Sequence, residues 1–318
     1  MPRSAPWFCP AVLVWRQPIM RRLLFIACLG FAACGRAEDS AVTSVTGETY
    51  RAEVEQFRHA LEAKLTSDTG WLTIAGLSFL TKPETTFGSA AGNDIVLPGA
   101  TPARVGTFAR AKDGRISVRL EPGLQVRLLD GRPFAGGEIK TDGEGPPDRL
   151  VLGDVQVWVH KSGDRDAIRI RDRNSPLRKT FTGMKWYPID ESYRVEATFD
   201  PYDTPKQLKV PNLLGDLDTM TATGDVGFTL HGQPQRMVAV EDGEELWFIF
   251  RDLTSGDTTY HAARFLYTPL PVDGKVVLDF NRAENPPCAY NQFTTCPLPP
   301  PKNRLQVRIE AGEQLPTH

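Results

Sequence analysis

The chain has 318 residues, of which 41% are hydrophobic, 9% aromatic and 24% charged, with a formal net charge of −2. These ordinary globular values exclude a disordered, collagen-like or disulfide-dense chain, and the length suits one large or two modest domains around buried cores. The 27 glycines and 26 prolines favour turn-rich β architecture over long helices. No run of ~18 uncharged apolar residues is present to cross a membrane as a helix.

The first informative segment is Met20-Arg21-Arg22, then the apolar run Leu23–Ala27, then Cys28-Leu29-Gly30-Phe31-Ala32-Ala33-Cys34. Two cations, a short apolar stretch, small residues and a cysteine follow the order of a secretory signal. The end Phe31-Ala32-Ala33-Cys34 resembles a bacterial lipobox, with Phe31 at a place usually held by Leu. Residues 1–33 read as signal peptide, with Met20 as the better start, and Cys34 as the acylated residue. Removing residues 1–33 deletes Arg3, Arg16, Arg21 and Arg22 and no acid, so the mature net charge becomes −6. That balance argues against nucleic acid as a partner and leaves the acyl group as the membrane anchor. Gly35 after the cysteine points to the outer membrane, facing the periplasm, and residues 34–47 read as a polar tether.

Glu48–Leu65 is predicted as the one amphipathic helix, because Tyr50, Val54, Phe57, Leu61 and Leu65 recur at helical spacing. From Trp71 the chain reads as short strands and turns. Alternation is clear in Ile116-x-Val118-x-Leu120, Val155-x-Val157-x-Val159 and Leu305-x-Val307-x-Ile309, and further strands are expected at Thr258–Tyr267 and Lys275–Phe280. Asp113-Gly114, Asp130-Gly131 and Asp273-Gly274 supply turns. Strands and helices do not alternate, so a doubly wound fold is not expected. The expected class is mainly β, with a sandwich-like half at 48–200, a β-rich half at 201–318, and a boundary near Pro201–Pro205.

The stretch Thr86-Phe87-Gly88-Ser89 through Asn93-Asp94-Ile95-Val96-Leu97-Pro98 resembles the opening of a forkhead-associated β-sandwich. Ser89 stands where phosphothreonine-binding members carry Arg, so the resemblance implies a shape and not phosphopeptide recognition. Further on come Phe250-Arg251-Asp252-Leu253-Thr254-Ser255-Gly256, Leu278-Asp279-Phe280-Asn281-Arg282, Asn285-Pro286-Pro287-Cys288-Ala289 and Thr295-Cys296-Pro297-Leu298-Pro299-Pro300. With Gly70-Trp71-Leu72 and Gly163–Arg169, these resemble the domain-of-unknown-function 1684 family over about residues 50–313. The family's usual Tyr after Arg-Ala is Glu284 here, and the resemblance implies no activity.

Strand alternation sets Tyr260 and Arg264 on one face, and Asp279 and Asn281 on one face of the next strand. If those strands are neighbours, Arg264 pairs with Asp279 beside Tyr260 and Asn281, and Arg251 and Asn285 join them. Such a cluster binds a small anionic ligand or sugar, or clamps the long loop as an internal network. Cys288 and Cys296 enclose seven residues, and a disulfide there would stabilise the loop by roughly 2–3 kcal/mol. A thiol nucleophile with His261 as base, or a metal ligand, are the other readings. The five histidines, His59, His160, His231, His261 and His318, form no ligand spacing, so no metal and no cofactor are expected. Gly-x-Ser-x-Gly, His-Glu-x-x-His, Walker and Gly-x-Gly-x-x-Gly motifs are absent. The expectation is a lipid-anchored envelope protein that binds a small ligand or acts as a scaffold, the alternative being a hydrolase or transferase.

Overall fold

The computed structural model describes residues 47–316. The leader read over 1–33, the acylation site Cys34 and the tether up to residue 46 lie outside the described residues. Helix α1 (Gly47–Thr66) forms where its apolar period places it: Tyr50, Val54 and Leu65 are buried, while Phe57 and Leu61 are half-buried and His59 is exposed.

Short strands follow as β1 (Ile74–Phe79), β2 (Glu84–Gly88), β3 (Ile95–Val96), β4 (Gly106–Arg110), β5 (Ile116–Leu120) and β6 (Val126–Leu128). The set continues with β7 (Pro133–Phe134), β8 (Gly137–Glu138), β9 (Leu150–Leu152), β10 (Val155–Ser162) and β11 (Arg165–Asp172). They build one sheet in the order β1-β11-β10-β9-β6-β7 and a second in the order β3-β2-β4-β5-β8. Between the two lies a core of Phe87, Phe108, Ile116 and Val118 from one side and Val155, Val157, Val159, Ile168 and Ile170 from the other. This is a two-sheet sandwich, produced by the alternation visible in β5 and β10.

After α2 (Pro176–Thr180) the third sheet is built from β12 (Arg194–Pro211), β13 (Leu217–Leu230), β14 (Gln233–Asp242), β15 (Glu245–Phe250), β16 (Arg264–Pro269) and β17 (Lys275–Asp279). Its order is β16-β15-β14-β13-β12-β17, antiparallel throughout. The Thr268 hydroxyl on one edge donates to the Val277 carbonyl on the other at 2.8 Å, so the sheet curls toward closure. Phe228, Phe248, Phe250, Leu266, Leu278 and Phe280 fill its interior, together with Leu305, Val307, Ile309 and Ala311 of the C-terminal tail.

Four expectations are corrected. Pro201–Pro205 lies inside β12, where the prolines cannot donate to a ladder and the register shifts between Pro201 and Lys206; it is a bulge and not a linker. Residues 305–309 are no strand. Their alternation is that of an inward plug, whose backbone hydrogen bonds to the chain just beyond β15 run through Arg251 and Leu253. The expected strand at 258–267 begins at Arg264, because the Thr254 carbonyl accepts the N–H groups of Asp257, Thr258 and Thr259 and folds the preceding segment into a turn. Finally, β17 stops at Asp279 and pairs with β12, and Asn281 sits in a 3₁₀ turn.

Candidate functional site

The six residues expected to gather do not share one site. Arg264 is fully buried and bonds Asp252 Oδ2 at 2.8 Å, the Ile309 carbonyl at 3.0 Å and the Ala311 carbonyl, with its guanidinium over the Phe250 ring. It locks the C-terminal tail into the third sheet. Asp279 accepts the Tyr50 hydroxyl at 2.8 Å and the Asn281 N–H at 3.2 Å, and pairs with Arg282. Asn281 in turn donates to the Tyr50 hydroxyl and to the Asp190 carbonyl. Burial, reinforced by Asp279, raises the Tyr50 pKa, so this hydroxyl stays a neutral donor that docks α1. Arg251 projects to solvent, and His261 is exposed. Tyr260 donates to the Cys288 carbonyl at 3.1 Å. Cys288 and Cys296 are thiols in this structure, with the Cys288 N–H donating to Cys296 Sγ at 3.2 Å.

Asn285 stands apart, in a hollow between α1 and the long loop. Its N–H donates to Glu313 Oε2 at 2.7 Å and its amide to the Gln314 carbonyl, while its Oδ1 and the Tyr290 hydroxyl are buried without a partner among the described residues. Both line a cavity of about 60 Å³ with Lys64, Trp71 and Glu284. Burial, aided by Glu245 and opposed by Lys64, pushes the Glu284 carboxyl up to about 7. Burial also takes Glu313 to about 8.

The denser polar arrangement lies on the first sheet, on the face turned away from the sandwich core. In the β10–β11 ladder Gln156 faces Arg171, Trp158 faces Arg169 and His160 faces Ala167. Alternation sends Val155, Val157, Val159, Ile168 and Ile170 into the core and these residues the other way. They are not solvated: Gln156 is 8% exposed, Trp158 4%, and Arg169 and Arg171 6% each. Arg149 lies 4.7 Å from the Trp158 ring centre and Arg171 5.4 Å. Arg171 donates to Thr73 Oγ1 at 3.0 Å and to the Thr69 carbonyl at 2.7 Å, yet its Nη1 has no partner among the described residues. The same holds for Arg169 Nε and Gln156 Oε1.

Three guanidinium groups thus gather on this face, and Asp142 supplies negative charge near Arg149 and Arg169. Burial lowers the pKa of Arg169 to about 10, against the raising effect of Asp142 and Cys296. Burial also brings Arg171 to about 10, aided by the charges of Arg149 and Arg169. A buried charge with an unmet donor is costly. Asp142 holds His160: Nδ1 lies 2.7 Å from Asp142 Oδ2, and Nε2 lies 3.3 Å from Thr295 Oγ1 of the Pro-rich loop. Arg169 Nη2 reaches the same hydroxyl at 3.5 Å. Burial raises the Asp142 pKa, but the bonds from His160 and the Lys161 N–H outweigh it and the net shift is downward. Among the described residues no group of three or more His, Cys, Asp or Glu side chains is arranged to hold a metal ion.

Sequence reasoning singled out Val155-x-Val157-x-Val159 for its apolar half. The signal for the site was the other half, Gln156-x-Trp158-x-His160 with Arg169-x-Arg171, which becomes special because Thr295 of the Pro-rich loop and the Thr69–Thr73 segment lie against it.

The fold and this site define a mainly β protein with one N-terminal helix, a sandwich, a curled third sheet and a covered basic face. Residues 179–314 match the family described as "Protein of unknown function (DUF1684)", and the chain belongs to that family. Among solved structures it is similar to an uncharacterized protein of Haloarcula marismortui determined by solution NMR. The identity is 31% over 43% of this chain and 78% of that one, with a TM-score of 0.37. No curated protein matches the chain.

Proposed function

We propose that this is a lipid-anchored envelope protein that binds a small anionic ligand on the basic face of its first sheet. The observation that carries the ligand is the set of buried Arg169 Nε and Arg171 Nη1, unpartnered among the described residues, beside Arg149, with Asp142 as the carboxylate near Arg149 and Arg169. Guanidinium edges suit carboxylate or phosphate, and Trp158 offers an apolar floor. The anchor rests on Arg21-Arg22, the apolar run and Ala32-Ala33-Cys34, with acylation at Cys34 and attachment to the outer membrane facing the periplasm. In that oxidising compartment Cys288 and Cys296 would close as a disulfide and fix the loop that carries Thr295.

The test is a melting-temperature screen against citrate, phosphate and sulfate, with neutral sugars as comparison. The anions should raise the melting temperature of the wild type and leave a folded Arg169→Met protein unmoved. Equal shifts in both proteins, or a response to the neutral sugars alone, would remove the assignment. Separately, Cys34→Ala should abolish incorporation of labelled palmitate; retained label would place the acyl group elsewhere.

A further inference from the structure

From the geometry around Thr295 we infer that the basic face is a covalent acyl-transfer site: Thr295 is the nucleophile, His160 its general base, and the substrate a carboxylic ester bearing a second anionic group. The inference rests on the anion-binding reading and adds the chemistry.

A carboxylate can only accept, so Asp142 Oδ2 at 2.7 Å requires that His160 Nδ1 carry the proton. In the neutral ring Nε2 is then the acceptor, and the group facing it at 3.3 Å is the Thr295 hydroxyl. Thr295 therefore donates to an imidazole while Arg169 Nη2 approaches its oxygen at 3.5 Å. This is the base–orienter arrangement that activates a weak hydroxyl nucleophile. Asp142 is itself fixed, because its other oxygen accepts the Lys161 N–H at 2.7 Å. Asp142 acts through His160 and is a positioning residue. Thr295 is half-buried, whereas His160 and Arg169, which its hydroxyl meets, are buried.

The unmet guanidinium edges supply the other two needs of the reaction. Arg169, beside the attacking oxygen, is placed to stabilise the oxyanion of the tetrahedral adduct. Arg171 lies two residues further along the same face, ~7 Å away at strand rise, and its Nη1, without a partner among the described residues, suits a carboxylate held by a short spacer from the ester carbonyl.

The chemistry balances without a further reagent. Thr295 Oγ bonds to the ester carbon as its proton passes to His160 Nε2. The carbon–oxygen bond to the alcohol breaks, and the alcohol leaves with that proton. Water then attacks the threonyl ester, giving one proton to His160, and the acid departs as the proton returns to Thr295. The sum is ester plus water to acid plus alcohol.

The experiment uses the purified full chain, mono-p-nitrophenyl adipate as substrate and adipate itself as a non-reacting binding probe. Expected are a burst of p-nitrophenolate, an adipoyl group mapped by mass spectrometry to Thr295, loss of both in Thr295→Val and retention in Thr295→Ser. His160→Gln should slow the burst by about a hundredfold or more, with adipate still raising the melting temperature. Turnover that survives Thr295→Val, or no adduct in a wild type that binds adipate, overturns the nucleophile and leaves the anion site standing. A wild type that does not bind adipate overturns both.

Discussion

Arg264 and Asp252 show how a buried ion pair that touches no cavity can still dominate its surroundings. Both side chains are 0% exposed, and Arg264 also serves the Ile309 and Ala311 carbonyls, which have no ladder partner of their own. Removing one member leaves the other charged and dry, which typically costs ~3–5 kcal/mol. Arg264→Met should therefore lower the urea midpoint sharply or prevent folding, whereas Arg251→Ala, at an exposed position, should stay within ~0.5 kcal/mol. Equal effects of the two in denaturation curves would contradict the lock. A neighbouring constraint acts through backbone. Gly312 has φ +79°, and a Cβ there would lie 2.5 Å from the Ala283 carbonyl oxygen and 2.6 Å from that of Phe280. Gly312→Ala should destabilise through both strain and clash. The residue types were legible in the sequence, but the partner of Arg264 was not. Asp252 and Asp279 are equivalent as letters, and only the turn at Thr254–Thr259 decides which of them Arg264 meets.

At the scale of elements, legibility followed one rule. Where a strand has one face on a core and a ladder on each side, its alternation is visible and correctly read, as in β5, β10 and α1's helical stripe. Alternation fails as a guide where the inward residues are held without a ladder, as in the tail with Leu305, Val307 and Ile309. Even where it holds it is silent on whether the outward face is covered, as it is in the β10–β11 hairpin. Nothing in His160 or Arg169 says that Thr295, more than a hundred positions later, will lie against them, because that contact belongs to the loop's path. Helix α1 illustrates the same point from its docking side. Its apolar period predicts a helix lying on a sheet, but the anchor is a polar one: the Tyr50 hydroxyl bonded to Asp279 and Asn281 across more than two hundred residues. Tyr50→Phe keeps the ring and deletes that hydroxyl, leaving Asp279 and Asn281 each short of a partner, so a loss of about 1–3 kcal/mol is expected. Hydrogen exchange should rise in α1 more than in β14; a uniform rise across the chain would mean that Tyr50 supports the whole fold and not the helix.

For the molecule as a whole, the buried carboxyls set a pH dependence opposite to that of ordinary acid unfolding. Glu313 is held by burial at about 8 and Glu284 at about 7, both above the ordinary value of 4.5. The folded state therefore keeps protons that the unfolded state releases between about pH 4.5 and 8. Stability depends on proton uptake by the difference between the two states, so it is fully present below 4.5 and falls as pH rises through the folded values. Asp94 works in the other direction at the acid end. Its pKa is lowered to about 2 by the Lys82 hydrogen bond and by Thr86, so its contribution is present above about 3.8 and is lost as pH falls through 2. The two trends together put the greatest stability in mildly acidic solution. The urea midpoint of the wild type should be higher at pH 5 than at pH 8.5. Glu313→Gln removes one of the two responsible protons while leaving an oxygen that can still accept the Asn285 N–H, so the midpoint of that variant should fall less between the same pH values. A wild-type midpoint that climbs from pH 5 to pH 8.5, or a slope untouched by Glu313→Gln, would mean that these carboxyls ionise inside the fold and that the hollow beside α1 is wetter than its packing implies.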